Sequence, residues 1–192
     1  MAASDTKAKL LDAAEQQVRR KGVDGFSYSD LSAEVGIRKA SIHYHFPAKS
    51  DLLTALMARY ATQVMTELEG YVSTMDTPDQ HLSAFINFYR AALQDGACLC
   101  LCIAFVVSKD GLAPETRQEI IQYRRAVQHW LLLRFEQAQA TKSLPKGLGD
   151  PACEAAATLA LVEGAQLSAR VTGDPTLFDI ATQAFRDRLC QR

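Results

Sequence analysis

The sequence predicts an all-helical protein, and three observations carry that expectation. Apolar residues recur every three or four positions along almost the whole chain, the period of an α-helix rather than of a strand. Gly, Pro, Ser, Thr and Asp fall between the periodic stretches, where helices start and stop. The run from Cys98 to Val107 is almost wholly apolar, with no second strand-like run to pair with it, which favours a buried helix there as well. The stretches are short before residue 48 and long after it, so a small N-terminal domain over residues 1–50 is expected ahead of a larger helical domain over 51–192.

The first helix is expected over residues 4–21. Leu10, Ala14 and Val18 repeat at i+4, Arg19, Arg20 and Lys21 crowd the end where the dipole is negative, and Gly22 stops it. Ser27 then offers an N-cap hydroxyl with Asp30 three residues on, and Leu31 and Val35 form one apolar stripe before Gly36. A third short helix fits residues 37–46, with Ile42 and Phe46 on one face and Lys39, Ala40, His43 and Tyr44 elsewhere. Pro47 closes it, because proline disfavours helical geometry in its predecessor. Leu52, Leu53, Leu56, Tyr60 and Val64 keep a helical period to about residue 71, and Thr77-Pro78-Asp79 reads as a cap and first-turn proline for a helix through residue 93. Asp95 is placed to cap the 98–107 helix, which would set Cys98 in its first turn and on one face with Cys102. Lys109-Asp110-Gly111 is a turn, residues 114–140 a long amphipathic helix and 143–151 a Pro/Gly-rich loop. The last two helices fit 151–170 and 175–189.

The net charge of −1 excludes a polycation that coats nucleic acid indiscriminately. Residues 1–55 hold eight Lys and Arg against seven Asp and Glu, and residues 36–49 hold Arg38, Lys39 and Lys49 without an acid. A site for an anionic partner is therefore small and local. No apolar run reaches the roughly 18 residues of a membrane span, and residues 1–10 are polar where a signal peptide is apolar. A soluble cytoplasmic protein without a membrane partner is expected, and five cysteines, an odd number, suit reduced thiols.

Two short helices joined at Val35-Gly36-Ile37 make a helix-turn-helix, whose later helix enters a major groove while the earlier one crosses the phosphates. Arg38, Lys39, Ser41, His43, Tyr44 and His45 supply cations, hydroxyls and imidazoles for base edges or phosphate oxygens. Lys49 falls in the first turn of the next helix, where backbone N–H groups already favour a phosphate.

The stretch from Phe26 to Ile37 (FSYSDLSAEVGI), followed by Ala40 to Lys49 (ASIHYHFPAK), resembles the DNA-binding region of the TetR/AcrR family of one-component transcriptional repressors, over about residues 8–55. The resemblance implies a dimeric, all-helical repressor that binds a pseudo-palindromic operator. Its C-terminal domain would hold a small-molecule inducer and pair through the last two helices of each copy. Carried over by position, Ser27 and Tyr28 and the segment Arg38, Lys39, Ala40, Ser41, His43, Tyr44 and His45 would touch DNA, with Lys49 on a phosphate. Where the family most often has Tyr two positions before His45, this chain has His43, so that contact is lost, made by imidazole or shifted to Tyr44.

For an inducer pocket, aromatic and polar side chains on facing long helices are the candidates: Phe85, Phe88, Tyr89, Cys102, Phe105, Tyr123 and Trp130, with Gln128 or Gln166 as orienting groups. Small residues crowd the penultimate helix (Ala155, Ala156, Ala157, Ala160, Gly164, Ala165 and Ala169) and suit a close helix–helix seam. Cys98, Cys100 and Cys102 raise an alternative, a repressor that senses oxidants or electrophiles through thiols; small apolar filler is the plainer reading. A small helical enzyme or ligand carrier is a further alternative. No catalytic motif, cofactor or metal site is expected: Gly-x-Ser-x-Gly, P-loop, His-Glu-x-x-His and Rossmann signatures are missing, and His43 and His45, two apart on a helix, point to separate faces.

Overall fold

Helix α1 (Ala3–Lys21) buries Leu10, Leu11, Ala14 and Val18 on one face, as their i+4 spacing requires. In the computed structural model, residues 3–94, 96–108, 111–143 and 149–190 are described. Asp95, Lys109-Asp110 and residues 144–148 of the expected cap, turn and loop lie outside them. A short 3-10 turn, Val23–Gly25, follows α1 and is a feature the sequence pattern does not announce. Helix α2 (Tyr28–Val35) is capped by Ser27 and Asp30 as expected, and it ends at Gly36, whose φ of 71° is left-handed. Helix α3 (Lys39–His45) is shorter than its apolar pattern, because Arg38 and Phe46 are already extended.

Two long helices follow, α4 (Lys49–Thr74) and α5 (Pro78–Ala91), then the short α6 (Leu101–Val106). Gln80 supplies the cap of α5, its side-chain oxygen accepting the amides of Asp76 and Thr77 at 3.0 and 3.3 Å. Helix α7 (Pro114–Thr141) is the longest, and α8 (Pro151–Thr172) and α9 (Thr176–Cys190) complete the nine α-helices among the described residues. Every described element is helical, so the expected all-α class holds.

The expected helix over 98–107 is corrected to Leu101–Val106. The Cys98 amide donates back to the Leu93 carbonyl at 3.0 Å, and the Ala97 amide to Gln94 at 3.1 Å. Cys98 therefore closes the turn after α5. Gly96 bends the chain there with a φ of 81°, against the backbone of Gly173. The Cys100 amide goes to the Gln166 side-chain oxygen at 2.8 Å. Cys98 and Cys102 accordingly share no helix face.

The chain divides into two compact units, residues 1–62 with 101–122, and residues 63–100 with 123–192. In the first, α1 packs on α2 and α6, and α2 on α3. Arg59 of α4 reaches Asp12 and Glu15 of α1 at 2.7 and 3.1 Å, and the Thr54 and Thr116 hydroxyls pair at 2.7 Å. In the second, α8 packs on α9, and both pack on α5. Arg90 grips Asp179 with two bonds of 2.7 and 3.0 Å, and Arg188 grips Glu154 with two of 3.2 Å.

Candidate nucleic-acid interface

Helix α3 is anchored from below. Ile42 is fully buried and Phe46 nearly so, Leu31 of α2 is fully buried too, and α3 packs on α2. The α2–α3 turn is tied by the Gly36 amide to the Ser32 carbonyl at 3.0 Å and by the Ser32 hydroxyl to the Ile37 carbonyl at 2.6 Å. With that face committed, Arg38, Lys39, Ala40, His43 and Tyr44 stand in solvent, while Ser41 and His45 are half-buried. Tyr44 is 80% exposed, an aromatic ring held out in water by a helix whose apolar side is fully used.

The expected contact residues divide by what they already hold. His43 Nδ1 lies 3.2 Å from the Pro47 carbonyl. A carbonyl only accepts, so Nδ1 carries the proton and Nε2 of the neutral ring is left as an acceptor. The His43 ring also meets Tyr28 edge-on, with centroids 4.9 Å apart. Arg38 and Lys39 are exposed cations at the start of α3, and no acid lies in that turn.

Three other expected contacts have internal partners. The Tyr28 hydroxyl donates to the carbonyls of Phe46 and Ala48, at 2.9 and 2.8 Å. Burial, then the charge of Asp51, push this phenol up to about 12. Ser27 serves α2: its Oγ accepts the Ser29 amide at 3.2 Å and donates to Asp30 at 2.7 Å. The hydroxyl and amide of Ser27 together hold the Asp30 carboxyl below its ordinary value. Lys49 donates to the Phe26 carbonyl at 2.6 Å, and its ammonium sits 4.1 Å from the centre of the Phe26 ring. Partial burial lowers this ammonium, and the charges of Asp24 and Asp30 oppose the shift. The structure thus gives Lys49 a partner other than the expected phosphate. Sequence reasoning passed over Ser29, whose side chain is exposed in the first turn of α2; a hydroxyl beside the cap was the available signal. No sequence signal marks the Phe26 carbonyl as a receptor for Lys49, since any residue provides one.

The expected inducer residues are nearly all buried. Phe85 stacks on Trp130 with centroids 5.8 Å apart and meets Tyr89 at 4.9 Å, and Phe88, half-buried, meets Tyr89 edge-on at 5.3 Å. The Tyr89 and Tyr123 hydroxyls bond at 2.8 Å in the interior. Gln166 is fully buried, spending its oxygen on Cys100 and leaving its Nε2 without a partner. Gln128, by contrast, is exposed on α7. Cys102 and Phe105 belong to the first compact unit, where both are buried. A groove of about 620 Å³ in the second unit lies between residues 74–76, the first turns of α5 and Leu189-Cys190, and none of the expected inducer residues lines it. Cys98, Cys100 and Cys102 are at most 2% exposed, and the Cys98 thiol donates to Gln94 at 3.2 Å. The exposed thiols are Cys153 and Cys190.

Comparison with known proteins places this geometry. A family model described as "Bacterial regulatory proteins, tetR family" matches residues 10–56, and one described as "Tetracyclin repressor-like, C-terminal domain" matches residues 78–185. The chain is 30% identical to a solved TetR-family transcriptional regulator from Agrobacterium tumefaciens, with a TM-score of 0.91 over 97% of this chain and 98% of that one. It shares its fold with the reduced form of E. coli NemR, at a TM-score of 0.81 and 21% identity over 95% of this chain and 96% of that one. It is also 26% identical to the HTH-type transcriptional regulator CymR of Pseudomonas putida over 129 residues, which are 65% of this chain and 62% of that protein.

Proposed function

The chain belongs to the TetR family of bacterial transcriptional regulators, and from that premise we propose that it is a homodimeric repressor released from a pseudo-palindromic operator by a small-molecule inducer. DNA reading is assigned to residues 1–50, and effector binding and pairing to 51–192. The observation that carries the reading is the division of α3, with Ile42 and Phe46 locked in the core and Arg38, Lys39, Ala40, His43 and Tyr44 exposed. Cations and exposed donors and acceptors on one helical face suit phosphates and base edges in a major groove.

Pairing is supported by a second apolar surface. On α8, Ala156, Ala160, Gly164, Leu167 and Val171 follow one another at three- and four-residue spacing, and all are exposed. On α9, Ile180 is 69% exposed and Ala184 is exposed too. A symmetric partner covering both helices removes this surface from water and fixes the spacing of two reading heads, which must match half-sites about one DNA turn apart. An effector then acts by favouring a state in which that spacing is wrong. The thiol-switch alternative gains nothing from the burial of Cys98, Cys100 and Cys102, since an oxidant needs an accessible thiolate.

The test is a mobility-shift titration on DNA from the protein's own promoter region, with wild type and Tyr44→Ala. Removing an exposed ring leaves the fold unaltered, so Tyr44→Ala is expected to lose about tenfold or more in specific affinity at unchanged Tm. Equal affinity of the two proteins across salt concentrations would take α3 out of the interface.

A further inference from the structure

Two adjoining side chains of the second compact unit carry hydrogen-bond donors with no acceptor. Arg134 on α7 is 6% exposed, and its Nε and Nη1 are buried without a partner. Trp130, one turn earlier, is 2% exposed, and its Nε1 is likewise buried and unpartnered. The guanidinium carbon lies 5.4 Å from the centre of the Trp130 ring, which stacks on Phe85. Buried polar groups are nearly always hydrogen-bonded, and a buried cation without its anion is among the costliest things a core can hold. Other arginines of this unit obey the rule: Arg90 holds Asp179, Arg124 holds Glu163 and Arg188 holds Glu154. Arg134 is more buried than these three and has no such pair. Burial pulls its guanidinium below the ordinary value, and the field of Glu69 opposes that only in part.

We propose that Arg134 and Trp130 form the anion-binding end of the effector site, and that the effector is a small monocarboxylate whose apolar body lies against the Phe85–Trp130 pair. The assignment rests on reading residues 51–192 as the effector-binding part of a regulator. A neutral carbonyl would satisfy the Trp130 N–H and leave the guanidinium charge uncompensated. A phosphate would bring more charge than one arginine offsets beside a buried aromatic stack. One carboxylate matches one cation, and its two oxygens can divide among three N–H donors.

The experiment uses the full chain, with thermal unfolding and titration calorimetry in phenylacetate and hexanoate, each against its own amide and against chloride at equal ionic strength. Both acids are expected to raise Tm by several degrees while the amides and chloride do not, as binding to the native state alone requires. In Arg134→Met the acids' affinity falls by about thirtyfold or more, and the ligand-free variant melts above the wild type because an uncompensated charge has gone. Acids and amides that act alike, or an acid effect that survives in Arg134→Met, would overturn the proposal. So would a ligand-free Arg134→Met that melts below the wild type, since the charge would then be compensated within the chain. Operator binding is measured in parallel: its absence in the ligand-free wild type removes the regulator reading and leaves the anion site to the calorimetry. Operator binding without any carboxylate effect removes the anion site alone.

Discussion

Lys49 and Tyr28 sit at positions where the resemblance places DNA contacts, yet both are bound to backbone carbonyls of their own domain. The geometry makes them braces that hold the start of α2, the end of α3 and the start of α4 together. Lys49→Ala is therefore expected to cost about 1 kcal/mol of stability through the lost hydrogen bond and cation–ring contact. It should weaken operator binding while leaving the salt dependence unaltered; a slope of log K on log salt that drops by about 1 would restore Lys49 to a phosphate. Tyr28 has a pH signature. Its phenol ionises near 10.0 when unfolded and is pushed up to about 12 in the folded chain, so the native state holds the proton more tightly. The stabilisation is complete below pH 10.0 and is lost as pH rises toward about 12. Tyr71, also pushed up to about 12 by burial and by Glu67, contributes with the same sign. Thermal scans between pH 9 and 11 should show a shallower loss of Tm in Tyr28→Phe than in the wild type, and parallel curves would show that the phenol is not held in its neutral form.

At the scale of elements, the segment between α5 and α6 shows where local pattern yields to packing. The apolar run 98–107 fits a helix, yet three of its residues are spent on the turn. Gly96 makes that turn possible: its φ is 81°, and a Cβ there would stand 2.8 Å from the Gly173 carbonyl carbon and oxygen. Gly96→Ala combines left-handed strain with a backbone clash, so a loss of about 2 kcal/mol or more is expected in chemical denaturation. Gly36→Ala, left-handed but with open space around its Cβ, is expected to cost about 1 kcal/mol. Equal losses for the two variants would remove the role given to the Gly173 contact.

At the scale of the molecule, the proposed dimer rests on an apolar surface that the single chain leaves wet. Val171 is 86% exposed and Ile180 69%, which is wasteful for a monomer and ordinary for half of an interface. Val171→Glu combined with Ile180→Glu places like charges across a two-fold seam. Sedimentation is expected to show a monomer with unchanged helix content, and operator affinity should fall by about two orders of magnitude as the second half-site contact is lost. A double variant that remains dimeric would move the interface elsewhere.

What the sequence determined by itself was most of what is local. The cap at Ser27, the stop at Gly36 and the apolar stripes of α1, α2, α4 and α7 depend on residues within a few positions of one another, and spacing records them directly. The exposed face of α3 was legible for the same reason: once Ile42 and Phe46 claim one side, the helical period assigns Arg38, Lys39, His43 and Tyr44 to the others. The tertiary structure alone decided what depends on residues far apart. The Lys49–Phe26 contact spans 23 positions and the Cys100–Gln166 bond 66, and neither partner's type announces the other. Arg134 is the sharpest case, because an arginine on an amphipathic helix reads as solvated until the fold buries most of it and leaves its Nε and Nη1 without a hydrogen-bond partner, with only the field of Glu69 to offset its charge.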